Sequence, residues 1–259
     1  MSARRFFDRV MVFIALIALW QLLSWRFGAQ WIATPVVTAQ HLVTSIANGS
    51  LWRNTSFTLT EALLGFLIGG IPGALLPFVL RRMKIVRAII DPFLIAGYGA
   101  PKVALTPLFI LIFGIGIASK VALVASVVFF LEFYVTAAGL ATVDQRLIAA
   151  ARIFGLGDRM IATEVIAPSA IPFILTGVRI AAPYAIGTAV IGELISSNRG
   201  LGYTIELAAN NFDPAGIFVG IATLGAIIGV LNSAIDALEK RLFAWRPADR
   251  IADKAQAAA

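Results

Sequence analysis

Long apolar runs separated by short charged segments constrain this chain more than any other feature. They cover residues 10–23, 57–80, 88–113, 121–140, 172–194 and 215–235. Most are close to the ~20 residues that an α-helix needs to cross the hydrocarbon core of a bilayer. Only 14% of the residues are charged and 59% are hydrophobic, whereas about a quarter of an ordinary soluble domain is charged. The expected fold is therefore all-α, a polytopic membrane bundle of about six transmembrane helices.

The formal charge of +7 would suggest nucleic acid in a soluble protein. In a membrane protein it is better explained by Lys and Arg collecting in cytoplasmic segments. With the amino terminus inside, one side of the membrane carries Arg4, Arg5, Arg9, Arg81, Arg82, Lys84, Arg87, Arg146, Arg152, Arg159, Lys240, Arg241, Arg246, Arg250 and Lys254. The other side carries Arg26, Arg53, Lys120 and Arg199. Both termini and the polar stretch 141–170 are thus expected inside. Arg4, Arg5 and Arg9 ahead of an apolar run also resemble a signal peptide. The run is long and no clean cleavage site follows it, which favours an uncleaved first span. Trp20, Trp25 and Trp31 suit an interfacial aromatic belt. There is no cysteine and one histidine, so neither a disulfide nor a Cys/His metal cluster is available.

Thr34 and Pro35 open a short amphipathic helix as cap and first residue. Its stripe of Ala39, Leu42, Val43 and Ile46 would lie on the outer surface, with His41 off the stripe and solvated. Gly65, Gly69 and Gly73 recur at four-residue spacing in the second span, which allows another helix to approach closely. Gly216 and Gly220, then Gly225 and Gly229, offer similar faces in the last span. Pro92, Pro101 and Pro107 interrupt the third span, and broken helices at membrane depth line a cavity or are buried in protein.

Ionisable residues within spans are costly and become functional candidates. They are Lys102, Glu132, Arg179 and Glu193. Arg179 lies about two turns into the fifth span and is the first candidate for the solute pathway, against a snorkelling or helix-pairing role. Lys102 and Glu193 are further pathway candidates, although Lys102 could instead pair with Glu132. Glu61, near the outer end of its span, is expected to snorkel. No nucleophile, base and orienter converge, no cofactor is implied, and no Gly-x4-Gly-Lys-Ser/Thr loop is present to hold nucleotide.

Between the fourth and fifth spans, helix-forming residues 146–154 end at Gly155-Leu156-Gly157, and Asp158 can cap a second helix ending before Pro168. Gly155 is expected to take the left-handed conformation that ends helices. Ala149, Ala150 and Ala151 are small enough for close approach by a partner. Ala150, Ala151, Gly155, Val165 and Pro168 fall in the register of the EAA loop, and the stretch resembles that loop of ABC importer inner-membrane permeases. Ala149 stands where that pattern has Glu, and Ala167 where it has Leu. Residues 101–109, Phe113-Gly114-Ile115-Gly116, Ser119-Lys120 and 199–203 are also similar to the nitrate, sulfonate and taurine importer group.

The resemblance implies a permease subunit of the bacterial inner (plasma) membrane, acting as half of a homodimeric pore. Its implied partners are cytoplasmic ATPase subunits, an extracytoplasmic solute-binding protein, a second permease chain and the lipid membrane, with no nucleic acid. ATP hydrolysis would then belong to the separate subunits. The solute would be a small anion such as a sulfonate or nitrate, or a small heterocycle such as a thiamine-precursor pyrimidine. The expected division is 1–53 for tail, first span and outer helix, 54–240 for the permease domain, and 241–259 for a cytoplasmic tail. Two rivals remain at this point. One is an ion-gradient transporter using Glu132 and Glu193, although no clear inverted repeat supports it. The other is a membrane scaffold for which the loop is merely a connecting or docking hairpin.

Overall fold

The structure is a computed structural model and describes residues 3–242, with the side chains of residues 3–6, 9 and 84 left out of the description. The expected tail beyond residue 242, with Arg246, Arg250 and Lys254, lies outside the described residues. Every regular element among the described residues is helical. Five helices are long and apolar enough to cross a membrane, and a bent pair brings the number to six. The chain forms two compact units, residues 1–55 with 201–259, and residues 56–200.

The first unit holds α1 (Ala3–Phe27), α2 (Pro35–Ala47), α10 (Leu201–Asn210) and α11 (Pro214–Leu242). It also holds the first turn of α3 (Ser50–Arg82), which continues into the other unit. In α1 only 6% of the membrane-length window is buried. A helix apolar on nearly all sides needs lipid or another chain to cover it. Its far end is tied down by Trp20 Nε1 donating to Ala33 O at 2.9 Å and Ser24 Oγ donating to Ile32 O at 2.7 Å. Thr34 caps α2 as expected, its hydroxyl accepting from Val37 N–H.

Val43 and Ile46 remain exposed, whereas Thr38 is buried on another face of α2. His41 is not freely solvated. It is half-buried, with Nε2 3.4 Å from Asp213 Oδ2. Asp213 also receives the Gly216 N–H through Oδ1, at the start of α11.

The second unit contains the rest of α3, then α4 (Lys84–Gly99) and a 3₁₀ turn (Lys102–Leu105) leading into α5 (Thr106–Phe113). Next come α6 (Ile117–Ala141), α7 (Gln145–Ile153), α8 (Asp158–Met160), a π turn (Ile161–Ile166) and α9 (Ala167–Ile195). The third apolar run breaks at Ala100-Pro101, where the axis turns by 91°. A residue before proline is driven out of the α region, and Ala100 is extended at φ −64°, ψ 137°. At 16 and 8 residues, α4 and α5 span only about 24 and 12 Å, so neither crosses a bilayer alone.

The core lies along α6, where Leu123, Val124 and Val128 are fully buried. It is built on close approach. A Cβ on Gly65 would stand 2.4 Å from Val124 Cβ, one on Gly69 2.2 Å from Ala125 O, and one on Gly73 2.7 Å from Phe129 O. From the other side α9 buries Gly177, Ala181, Ala185 and Ala189 at four-residue spacing. Lipid offers no hydrophobic reward for helix association, so small residues that let backbones meet carry the packing. Along α11, Gly216 and Gly220 meet Ala208 and Ile205, but Gly225 and Gly229 face open space. Only the first half of that small-residue face is therefore used among the described residues of this unit.

Gly69→Ala should lower stability by about 1–3 kcal/mol, the usual cost of overpacking, because the new methyl meets backbone. Gly225→Ala should be neutral or gain up to ~1 kcal/mol from reduced chain entropy. Thermal unfolding in detergent checks both.

Candidate functional site

Two features could carry function, the polar loop between α6 and α9 and the ionisable residues buried in the bundle. The loop opens with Asp144, whose side chain accepts from Arg146 N–H at 2.8 Å and caps α7. It closes on Gly155, at φ +78°. Leu156 N–H donates to Ala151 O and Gly155 N–H to Arg152 O, the paired bonds of a Schellman motif. Leu156 then folds back onto a small core of Val143, Ile148, Ala151 and Ile161, joined by Val165 and Ile166. The left-handed assignment of Gly155 therefore holds, and no side chain crowds it.

Three local details differ from expectation. Ala151 packs inward, while Ala149 and Ala150 are exposed, so the alanines do not form one contact face. Asp158 does not cap the second helix. Gly157 takes the cap position, and Asp158 enters the first turn, 3.6 Å from Arg152 Nη2. Nor does the chain break before Pro168. Helix runs continuously through Asp158–Ile195, 38 residues.

Proline lacks an N–H and its ring crowds the carbonyl four residues back. The π turn at Ile161–Ile166 widens the register just ahead of it, with Ala167 N–H reaching Ala162 O. Ser169 Oγ donates to Val165 O at 2.6 Å. The loop is held to the bundle by Arg82 Nη2, which donates to Asp158 O at 3.1 Å. Its outer surface presents Ile153 and Phe154, 85% and 83% exposed. Sequence reading passes over these two, because apolar residues at a helix end look like core.

The ionisable residues separate clearly. Lys102 does not pair with Glu132. Its Nζ donates to Tyr98 O and lies 4.8 Å from the Phe130 ring and 5.3 Å from the Tyr98 ring, a cation–π setting. Glu132 is 1% exposed on α6. It receives a long 3.4 Å bond from Thr136 Oγ1, while Gly177 backbone presses so close that a Cβ there would sit 2.4 Å from Oε2. Arg179 is exposed on α9, about 200° around the helix from Gly177.

Glu193 is fully buried and accepts from Thr58 Oγ1 at 2.7 Å. Gly200, at φ +102°, lies against the same carboxylate, and a Cβ would fall 2.1 Å from Oε1. Glu61 does not snorkel. It is 5% exposed, and its carboxyl meets that of Glu193. Lys120 does not belong to a solvated turn. It is 2% exposed in the first turn of α6, donates to Ile115 O, and stands as the positive neighbour of both carboxyls. Burying an ion costs several kcal/mol unless it is paired and hydrogen-bonded; the two carboxyls repel each other, and Lys120 is the positive neighbour that offsets this. They join α3, α6 and α9. The Gly192 backbone facing Lys120 Cγ is what lets the lysine lie flat.

A model of the "Binding-protein-dependent transport system inner membrane component" family matches residues 61–244, most of the chain and all of the residues just described except Thr58. The chain belongs to this family. It is the permease of an ABC-type importer, a multi-pass protein of the bacterial plasma membrane. The permease is 33% identical over 227 residues to a probable ABC transporter permease of Brucella abortus, covering 88% of this chain and 90% of the other. It is 31% identical to a putative aliphatic sulfonates transport permease of Bacillus subtilis (89% and 84% covered). It is also 29% identical to a formylaminopyrimidine transport permease of Halalkalibacterium halodurans (92% and 96% covered).

Among solved structures, the fold matches a chain of an amino acid ABC transporter at TM-score 0.62 and 20% identity, covering 79% of this chain and 97% of that one. Family membership makes the permease a channel-forming subunit whose ATPase is a separate chain, working with a substrate-binding protein. This displaces the ion-gradient and scaffold readings.

Thr58→Val should remove the hydroxyl donor to buried Glu193 and cost about 1.5–3 kcal/mol, the range for bonds to charged groups. Thr58→Ser should recover most of it. A fall in the detergent unfolding midpoint for the first variant alone is the expected result.

Proposed function

We propose that the loop from Asp144 to Pro168 is where the ATPase acts, and that it passes the stroke into the bundle through α9. The observation that carries this is Ile153 and Phe154, almost wholly exposed at the end of a helix fixed by its own core and Schellman turn. Two large apolar side chains held rigidly in water are the anchors an interface uses. Ala149 and Ala150 beside them let a partner surface come close, and Ala149 removes the charged contact that the family's Glu would supply. The continuous helix Asp158–Ile195 joins the loop to the far end of the bundle. The loop faces the cytoplasm in this reading, with Arg81, Arg82 and Arg87 at the same end.

The pore is a homodimer of this chain, and the solute-binding protein docks at the opposite face. The solute is a small anion such as a sulfonate or nitrate, or a small heterocycle. The names of the relatives support this class. Arg179, exposed on α9, is the best placed of the pathway candidates. Lys102 is occupied by aromatic rings, and Glu193 is closed in by Thr58 and Gly200.

Phe154→Ser should weaken ATPase association by ~30-fold, as expected for an aromatic anchor worth about 2 kcal/mol, with the permease still inserted and stable. Gly155→Val places a β-branched residue in the left-handed region, disfavoured by roughly 1–2 kcal/mol. It should uncouple hydrolysis from uptake. Wild-type association and uptake in both variants would remove the loop from the mechanism. Arg179→Ala should lower uptake of an anionic solute and leave assembly intact. A reporter after Arg159 should be cytoplasmic and one after Asn210 external.

A further inference from the structure

At the end of the bundle that carries the loop, α3, α4, α6 and α7 line an open cavity of about 150 Å³, roughly five water volumes. Arg81 and Arg87 line it, with Gln145 from the first turn of α7, against a wall that includes Leu80, Phe133 and Leu140. Arg87 Nε is 3.5 Å from Asp91 Oδ2, in a pair about half exposed. Arg81 is different. Its Nη1 is buried and has no acceptor, and a buried unsatisfied donor on a charged group is among the costlier defects a fold can carry. Two guanidinium groups and an amide lining one cavity suit an anion with several oxygens.

We propose that this cavity holds the phosphate of an anionic phospholipid. The apolar wall is unsuited to a freely hydrated ion but fits the start of a lipid's glycerol and acyl chains. Basic pockets between transmembrane helices on the cytoplasmic side select anionic headgroups in this way. The leaflet assigned rests on the cytoplasmic orientation proposed above. A bound phosphate would bridge Arg81 to Gln145, and so brace the helix that ends in Ile153 and Phe154.

The test uses the assembled transporter, delipidated in detergent and titrated with phosphatidylglycerol, phosphatidylcholine or inorganic phosphate. Bound lipid is counted by native mass spectrometry. Wild type should bind phosphatidylglycerol at least tenfold more tightly than phosphatidylcholine. Arg81→Gln should lose most of that preference and Arg81→Lys only part, while Arg26→Gln should keep it. Arg81→Gln should melt no lower than wild type without lipid, which separates loss of ligand from loss of fold.

Equal phosphatidylglycerol binding by wild type and Arg81→Gln would overturn the proposal. So would displacement of the lipid by millimolar inorganic phosphate, which would make the ligand a free anion. Arg81→Gln that keeps the lipid but sheds the ATPase would assign the pocket to an acidic side chain of that subunit. Failure of the Phe154→Ser prediction with lipid binding intact would instead fault the coupling reading and leave this site standing.

Discussion

The approach of α3 and α9 to α6 is the contact on which the rest of this permease depends. Within lipid, helices gain nothing by hiding apolar side chains from water, so association rests on dispersion and hydrogen bonds at short range. Gly65, Gly69 and Gly73 bring α3 onto α6, and α9 buries Gly177, Ala181, Ala185 and Ala189, with Gly177 against the Glu132 carboxyl of α6. That closeness also sets how the buried ionisable groups are packed. Glu132 is sealed by Gly177, and Lys120 lies along Gly192. A larger residue at any of these glycines would separate the helices and open the charges to lipid.

The loop and the bundle are mechanically one piece on the α9 side. The 38-residue helix Asp158–Ile195 measures about 57 Å along its path, beginning beside Gly155 and ending two residues after Glu193. Its π turn lies where the loop core of Ile161, Val165 and Ile166 hands over to the membrane span. Such turns strain the regular ladder and often mark functional positions. A push on α7 is thus applied to the loop core, and through it to the helix that carries Arg179 and Glu193. The Arg82 bond to Asp158 O adds a second link, to α3.

Several local features were legible because short-range rules govern them. Thr34-Pro35 opens α2, Gly155 ends α7 in the left-handed region, Pro101 breaks the third run, and the glycines of α3 meet a neighbour. Others were legible but misread, since a local signal lost to its surroundings. Asp158 is a good cap and Pro168 a good stop, yet the chain absorbs both within one long helix. The four-residue spacing of small residues from Gly177 to Ala189 was visible in the sequence and could have marked the α9 face.

What the sequence by itself determined was the helical type and approximate number of the spans, the break at Pro101 and the family they serve. Apolar length, proline, glycine and capping residues act within a few positions of themselves. Only the tertiary structure decided which charges meet. Thr58 and Glu193 are 135 residues apart, and no periodicity links either to Lys120 or Glu61. It also decided that Ile153 and Phe154 face outward and that Arg81 keeps a buried N–H without an acceptor. Burial and pairing depend on what other segments bring to the same place, and a linear pattern holds no record of that.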